Sequence, residues 1–284
     1  MKKQILPKLI NNILIILLII IFSIIIIKVL KDNINFIKTK NNITESFGNS
    51  DEISNKILDN IYCINLQRSK DRWNKITNIA NKEGLKLIRF EAVDGKKLNP
   101  IEIKDKCTDD YYKSVMKSNN YGNIGCYLSH TNLWKKLKLN KIEYALIIED
   151  DIIFNDNFKT NLKNNLEKIP ENWDIIFLGL TRPCGNNLNN NIYKISDGKC
   201  NKDNGGLFAY IVNVKNLDKI IKITDTPINK MIDHKIRDNY TKLDTYFIYP
   251  HLVKHNYNIE SDRKPKNKFY SNNYISDANK LNSV

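Results

Sequence analysis

The apolar run Tyr144-Ala145-Leu146-Ile147-Ile148 stops in three consecutive carboxylates, Glu149, Asp150 and Asp151. A buried strand that ends in acid carries charge to the edge of a sheet, where open α/β sheets bind ligands. Three clustered carboxylates repel one another unless a cation sits among them. Carboxylate, water and phosphate oxygens suit Mg²⁺ or Mn²⁺, so the chemistry to expect is a divalent cation holding a diphosphate.

Two other segments could meet such a ligand. Asn65-Leu66-Gln67-Arg68-Ser69-Lys70-Asp71-Arg72 follows a first apolar strand, and Arg68 and Arg72 are suited to phosphate or a nucleobase. Gly125-Cys126-Tyr127-Leu128-Ser129-His130 places a hydroxyl and an imidazole near a helix start. No Ser-His-Asp arrangement can be defended from spacing.

The elements that must position these groups follow from periodicity. Residues 61–66 read as a strand, Ser69 as a cap, and Trp73, Ile76, Ile79 and Ala80 as one face of a helix that stops at Gly84. Lys86–Val93 reads as a second strand and Asp94-Gly95 as a turn, giving a β-α-β unit and a parallel sheet. Residues 98–121 look irregular. A helix follows through Leu128, Leu133, Trp134 and Leu137, then the acidic strand, then a helix carrying Phe158, Leu162 and Leu166. Strands are expected at 172–179, 207–214 and 246–249, with a long loop at 181–206 and helices near Leu217–Ile221 and after Asp225.

The chain has 284 residues, 42% of them hydrophobic, enough for one sizeable domain. Leu9–Leu30 is almost wholly apolar and long enough, at about 1.5 Å per residue, to cross a bilayer. No small-residue cleavage site follows, so an uncleaved single-pass anchor is expected. Lysines on both sides leave its orientation open, with a lumenal catalytic domain favoured. The expected layout is a short N-terminal segment (1–8), a transmembrane helix (9–30), a stem (31–57), a globular domain (58–262) and a disordered tail (263–284).

The formal charge of +14 is spread along the chain among acids, with no compact basic stripe, which argues against a nucleic-acid partner. The five cysteines form no Cys-x-x-Cys pair, so a zinc site is not expected. Cys63 and Cys126 read as small core residues. Cys184 and Cys200 flank an Asn/Gly-rich loop and could be bridged in an oxidising lumen. In that same setting the sequons at Asn42 and Asn239 could be glycosylated.

In order along the chain, these pieces resemble glycosyltransferase family 25, which includes lipooligosaccharide and procollagen galactosyltransferases. The resemblance rests on residues 61–66 with Arg68 and Asp71-Arg72, Asp94-Gly95, Gly125-Cys126 with Ser129-His130 and Trp134, and residues 147–151. It continues through Trp173-Asp174, Gly206 with Ala209-Tyr210, Asp233, Pro250 with Leu252-Val253, and Ser261-Asp262. It implies a GT-A type nucleotide-sugar-binding α/β fold with a mostly parallel central sheet. It also implies an inverting, metal-dependent transfer of a hexose, galactose from UDP-galactose, to a glycan or a hydroxylated collagen-like acceptor.

In that reading Arg68, Arg72, Ser129, His130, Glu149 and Asp150 bind the donor. Asp151, Glu149 and His255 hold Mn²⁺ or Mg²⁺, His255 standing where Gln is usual in the family. Asp233 is the candidate general base, with Asp174 as runner-up. The rival expectation is an inactive glycan- or partner-binding protein that keeps the fold.

Overall fold

The computed structural model describes residues 23, 26–31, 51–195, 204–256 and 258–259. The chain divides into two compact units, residues 1–49 and 50–284. In the first, the described part of the expected anchor is Ser23 and residues 26–30, all helical, with Lys31 continuing the helix. Among the described residues no helix is long and apolar enough to cross a membrane. The expected single-pass anchor and membrane localisation are corrected on that finding; most of 9–30, the stem to residue 50 and the tail from 263 lie outside the described residues.

The second unit is built on an eight-stranded sheet. Its strands are β1 (Ile61–Asn65), β2 (Leu87–Glu91), β3 (Tyr144–Glu149), β5 (Ile175–Phe177), β6 (Asn186–Asn189), β7 (Ile192–Lys194), β8 (Ala209–Asn213) and β9 (Thr245–Ile248). β4 (Ile152–Phe154) and β10 (Val253–His255) form a separate antiparallel pair. The order in the main sheet is β2-β1-β3-β8-β5-β9-β7-β6.

β1 lies parallel to both β2 and β3, as the β-α-β reading requires. β8, however, runs antiparallel to β3 and to β5, and the β6-β7-β9 ladder is antiparallel as well. The sheet is therefore mixed, which corrects the mostly parallel GT-A expectation. The reason is physical: β8 is buried at Ala209–Val212, and an apolar run covered on both faces reads the same in either direction. The expected loop at 181–206 holds the β6-β7 hairpin, hidden by an Asn-rich strand of low β-propensity.

Period-2 alternation sorts the core onto the two faces of the sheet. Tyr62, Ile64 and Ile147 pack on one face, where the Tyr121–Leu139 helix brings Ile124, Tyr127, Leu133 and Trp134. Ile61, Cys63, Leu146 and Ile148 pack on the other, under Ile76 and Ala80 of the Lys70–Lys82 helix and Phe158 and Leu162 of the Phe158–Leu166 helix. Each such large apolar side chain contributes roughly 1.5–3 kcal/mol. Residues 98–121 are helical too, over Pro100–Lys106 and Asp109–Ser118. The first of these starts in a capping box, Asn99 accepting from the Glu102 N–H while Glu102 accepts from the Asn99 N–H. Ser69 begins the Lys70–Lys82 helix without a side-chain cap bond.

β1, β2 and β3 all end at one edge, and the strand order turns back at β1/β3. That is the switch point at which open α/β sheets open a crevice. The acidic triplet sits there.

Candidate donor-binding and metal site

The cleft at this edge is lined by Arg68 and Arg72 after β1, by the 92–96 segment after β2, by Cys126, Ser129 and His130, and by all three carboxylates after β3. Its walls are set by close backbone packing. A Cβ on Gly125 would lie 2.5 Å from the Val93 carbonyl oxygen, and one on Gly95 would lie 1.9 Å from that of Tyr121. The two glycines let the Tyr121–Leu139 helix lie directly against the 93–95 segment. Ser129, 1% exposed, closes the seam: its hydroxyl accepts from the Val93 N–H at 2.8 Å and donates to the Gly125 carbonyl at 2.6 Å. Its hydrogen bonds thus hold the wall of the cleft.

The carboxylates have different surroundings. Asp150 is clamped by Arg72 and accepts from Asn65 Nδ2 at 2.5 Å. Asn65 is itself held through its Oδ1 by Arg89 of β2, whose guanidinium lies over the Trp73 ring. Burial pushes the Asp150 carboxyl up to about 6, against the opposing pull of Arg72 and Asn65. Asp151 accepts from Arg72 Nη2 at 3.0 Å, and His255 Nε2 lies 3.5 Å from the same oxygen. Its other oxygen, Oδ1, is buried with no hydrogen-bond partner. Glu149 faces His130, with Nε2 3.4 Å from Oε1. At the mouth, Arg68 donates to Asp94 at 2.9 Å, holding that carboxyl below its usual range against the effect of burial.

Several expected site residues are thus brought together: Arg68, Arg72, Ser129, His130, Glu149, Asp150 and Asp151 line one cleft. His255 reaches Asp151 because β10 pairs with β4 immediately after the triplet. Asp174 lies elsewhere, before β5 at the opposite end of the sheet. It is fully buried, bonded to Lys219 Nζ at 3.0 and 3.1 Å and to the Asp244 N–H at 2.9 Å. Asp233 opens the Ile232–Arg237 helix and accepts from the Gly206 N–H at 3.3 Å. Burial pushes the Tyr111 hydroxyl up to about 12, and the Asp233 charge adds to that rise. Asp233 does not line the cleft.

Sequence reasoning missed three contributors. Asn65 and Tyr210 stand within segments that carry the family resemblance but have no site role assigned there. Cys126 read as a core residue but is half-buried, lining the cleft one helical turn before His130, so the i, i+4 spacing was the available signal. Cys126, His130 and Glu149 each offer a ligand atom, all within 4.8 Å of one another. Cys63 and Cys107 are buried thiols. Cys184 is disulfide-bonded, while Cys200 lies outside the described residues.

Comparison with known proteins shows the family. The profile of glycosyltransferase family 25 (LPS biosynthesis protein) matches residues 58–236. The chain belongs to glycosyltransferase family 25. Human procollagen galactosyltransferase 2 is 34% identical over 134 residues, 44% of this chain and 21% of the relative. The glycosyltransferase 25 family member of Aedes aegypti is 35% identical over 134 residues, 44% of this chain and 22% of the relative. The matched part thus spans about a fifth of these relatives' length. Among solved structures, mouse xyloside xylosyltransferase 1 aligns with a TM-score of 0.33 at 12% identity, over 68% of this chain and 69% of that one, too loosely to carry an argument.

Proposed function

We propose that this domain transfers a hexose, galactose from UDP-galactose, to a glycan or a hydroxylated collagen-like acceptor, with inversion at the sugar and with Mn²⁺ or Mg²⁺ as cofactor. The observation that carries the metal reading is Asp151 Oδ1. A buried carboxylate oxygen without a donor is costly, and a hard cation is the partner such oxygens take. Asp151, Glu149 and His255 would hold the ion, which when bound neutralises charge on the departing diphosphate.

The chain's own residues supply the rest. Arg68 and Arg72 place two cations on the cleft wall where a diphosphate would lie. Asn65 and Arg72 fix Asp150, so that the acidic loop keeps its shape while the donor enters and leaves. Asp233 is the proposed base. It takes the proton of the acceptor hydroxyl as that oxygen bonds to the sugar's anomeric carbon, and the carbon–oxygen bond to phosphate breaks with its electron pair leaving on the nucleoside diphosphate. Asp174, held by Lys219 at the other end of the sheet, has a structural part in this account.

The experiment is saturation binding of UDP- and GDP-hexoses with Mn²⁺, followed by an acceptor screen with the best donor. Tight UDP-galactose binding and product formation support the reading. Binding of glycans with no donor affinity would favour the inactive binding protein instead.

A further inference from the structure

His130 has two partners, and their donor inventory fixes where its proton sits. Trp134 Nε1 lies 3.0 Å from the Tyr210 hydroxyl oxygen, and His130 Nδ1 lies 2.8 Å from that same oxygen. An indole N–H only donates, so Tyr210 accepts from Trp134. The one hydroxyl proton of Tyr210 then points at His130 Nδ1, which must be the bare nitrogen. Burial pushes the Tyr210 pKa well above its ordinary value, so the hydroxyl keeps that proton. With Nδ1 bare, the ring's proton is on Nε2, facing Glu149 Oε1 at 3.4 Å. Any other arrangement leaves the Tyr210 proton without an acceptor at a residue that is 0% exposed, beside Trp134 at 0% and His130 at 1%.

We infer that Trp134 and Tyr210 set the tautomer of His130, so that its Nε2–H is donated to Glu149, and that His130 is a positioning residue for this carboxylate and neither a donor ligand nor a metal ligand. The chain Trp134→Tyr210→His130→Glu149 runs from the core to the cleft, each group donating to the next. At its cleft end this chain holds the Glu149 carboxylate. The distances within the Cys126–His130–Glu149 group would suit a cation, but the His130 nitrogen facing Glu149 carries hydrogen and offers no lone pair there.

The role of Glu149 in transfer rests on the proposed function; the tautomer does not. The test is a long-range proton–nitrogen correlation spectrum of the full ¹⁵N-labelled chain, with His130 assigned among the four histidines by its loss in His130→Asn. The expected result is a protonated Nε2 and a bare Nδ1 in the wild type, giving way to mixed tautomers in Tyr210→Phe. Transfer by Tyr210→Phe should fall about tenfold in kcat, with UDP affinity held, and Trp134→Phe should show a smaller change in the same direction. A wild-type ring protonated at Nδ1 overturns the inference. So does a Co²⁺ complex whose thiolate charge-transfer band disappears in Cys126→Ser and whose formation is also lost in His130→Asn, since the ring would then belong to a metal centre. A Tyr210→Phe protein with mixed tautomers and unchanged transfer overturns the positioning role. Absence of any transferase activity would sink the proposed function while leaving the tautomer result standing.

Discussion

Replacing Gly125 by alanine tests how the cleft is built. The new Cβ would sit 2.5 Å from the Val93 oxygen, 2.7 Å from the Gly95 nitrogen and 3.2 Å from the Gly95 Cα, all three backbone atoms. To reach even a 3.0 Å contact, the oxygen must retreat by 0.5 Å and the nitrogen by 0.3 Å, with no side-chain rotation available to help. Overpacking of this kind costs about 1–3 kcal/mol, and the rigid surroundings favour the upper end. Alanine recovers about 1 kcal/mol of helix propensity. The net loss is about 2 kcal/mol, which for a domain of this size lowers Tm by roughly 4–8 °C. The strain falls on the 93–95 segment and on the Val93–Ser129 bond, both in the cleft wall, so donor affinity should fall about tenfold as well. Thermal unfolding and UDP titration read the two effects. A Gly125→Ala protein with Tm at or above wild type would refute the packing argument. A lowered Tm with unchanged UDP binding would refute the claim that this seam shapes the site.

Other substitutions separate the roles of the charged groups. Arg72→Met leaves Asp150 and Asp151 without their shared cation and should cost about 3–5 kcal/mol without metal. Added Mn²⁺ should then raise the Tm of the variant more than that of wild type, as ligand linkage requires. The raised Asp150 pKa means that the folded state disfavours its charge. Its contribution to stability is full below about pH 4 and is lost as pH rises through about 6. The rise from 3.8 to about 6 is worth roughly 3 kcal/mol, so Asp150→Asn should raise Tm at pH 7.5 and leave it unchanged at pH 4, as pH-resolved melting would show. Asp233→Asn should lower kcat by several orders of magnitude with UDP affinity intact, whereas Asp174→Asn should lower Tm and spare the affinity; near-normal turnover in Asp233→Asn removes it as the base.

The cleft was more legible in the sequence than the sheet around it. The Ile147–Asp151 transition and the Arg-bearing turn after β1 are local signals, and the structure brings both to one edge. Strand direction is not local: Ala209–Val212 is buried on both sides, so nothing in its pattern distinguishes the antiparallel β8 from a parallel neighbour. The β6-β7 hairpin is hidden for a related reason, since its Asn-rich strand is exposed throughout and is held by backbone pairing and not by apolar residues. Asp174 misled because an acid beside a buried strand has the same appearance whether it meets a ligand or an exposed lysine 45 residues away in the chain. Tyr210 and Asn65 owe their importance to partners 80 and 85 residues distant, which no spacing rule reaches.

The central claim is that the acidic triplet, through Asp151, serves a metal-bound nucleotide-sugar diphosphate. Its most direct test is transfer of galactose from UDP-galactose by wild type and Asp151→Ala, each measured with Mn²⁺ and with EDTA, alongside thermal unfolding to show that the variant is folded. The account predicts transfer only by wild type with Mn²⁺, and a variant that unfolds cooperatively yet gives no product. Full transfer by Asp151→Ala, or by wild type in EDTA, would contradict it.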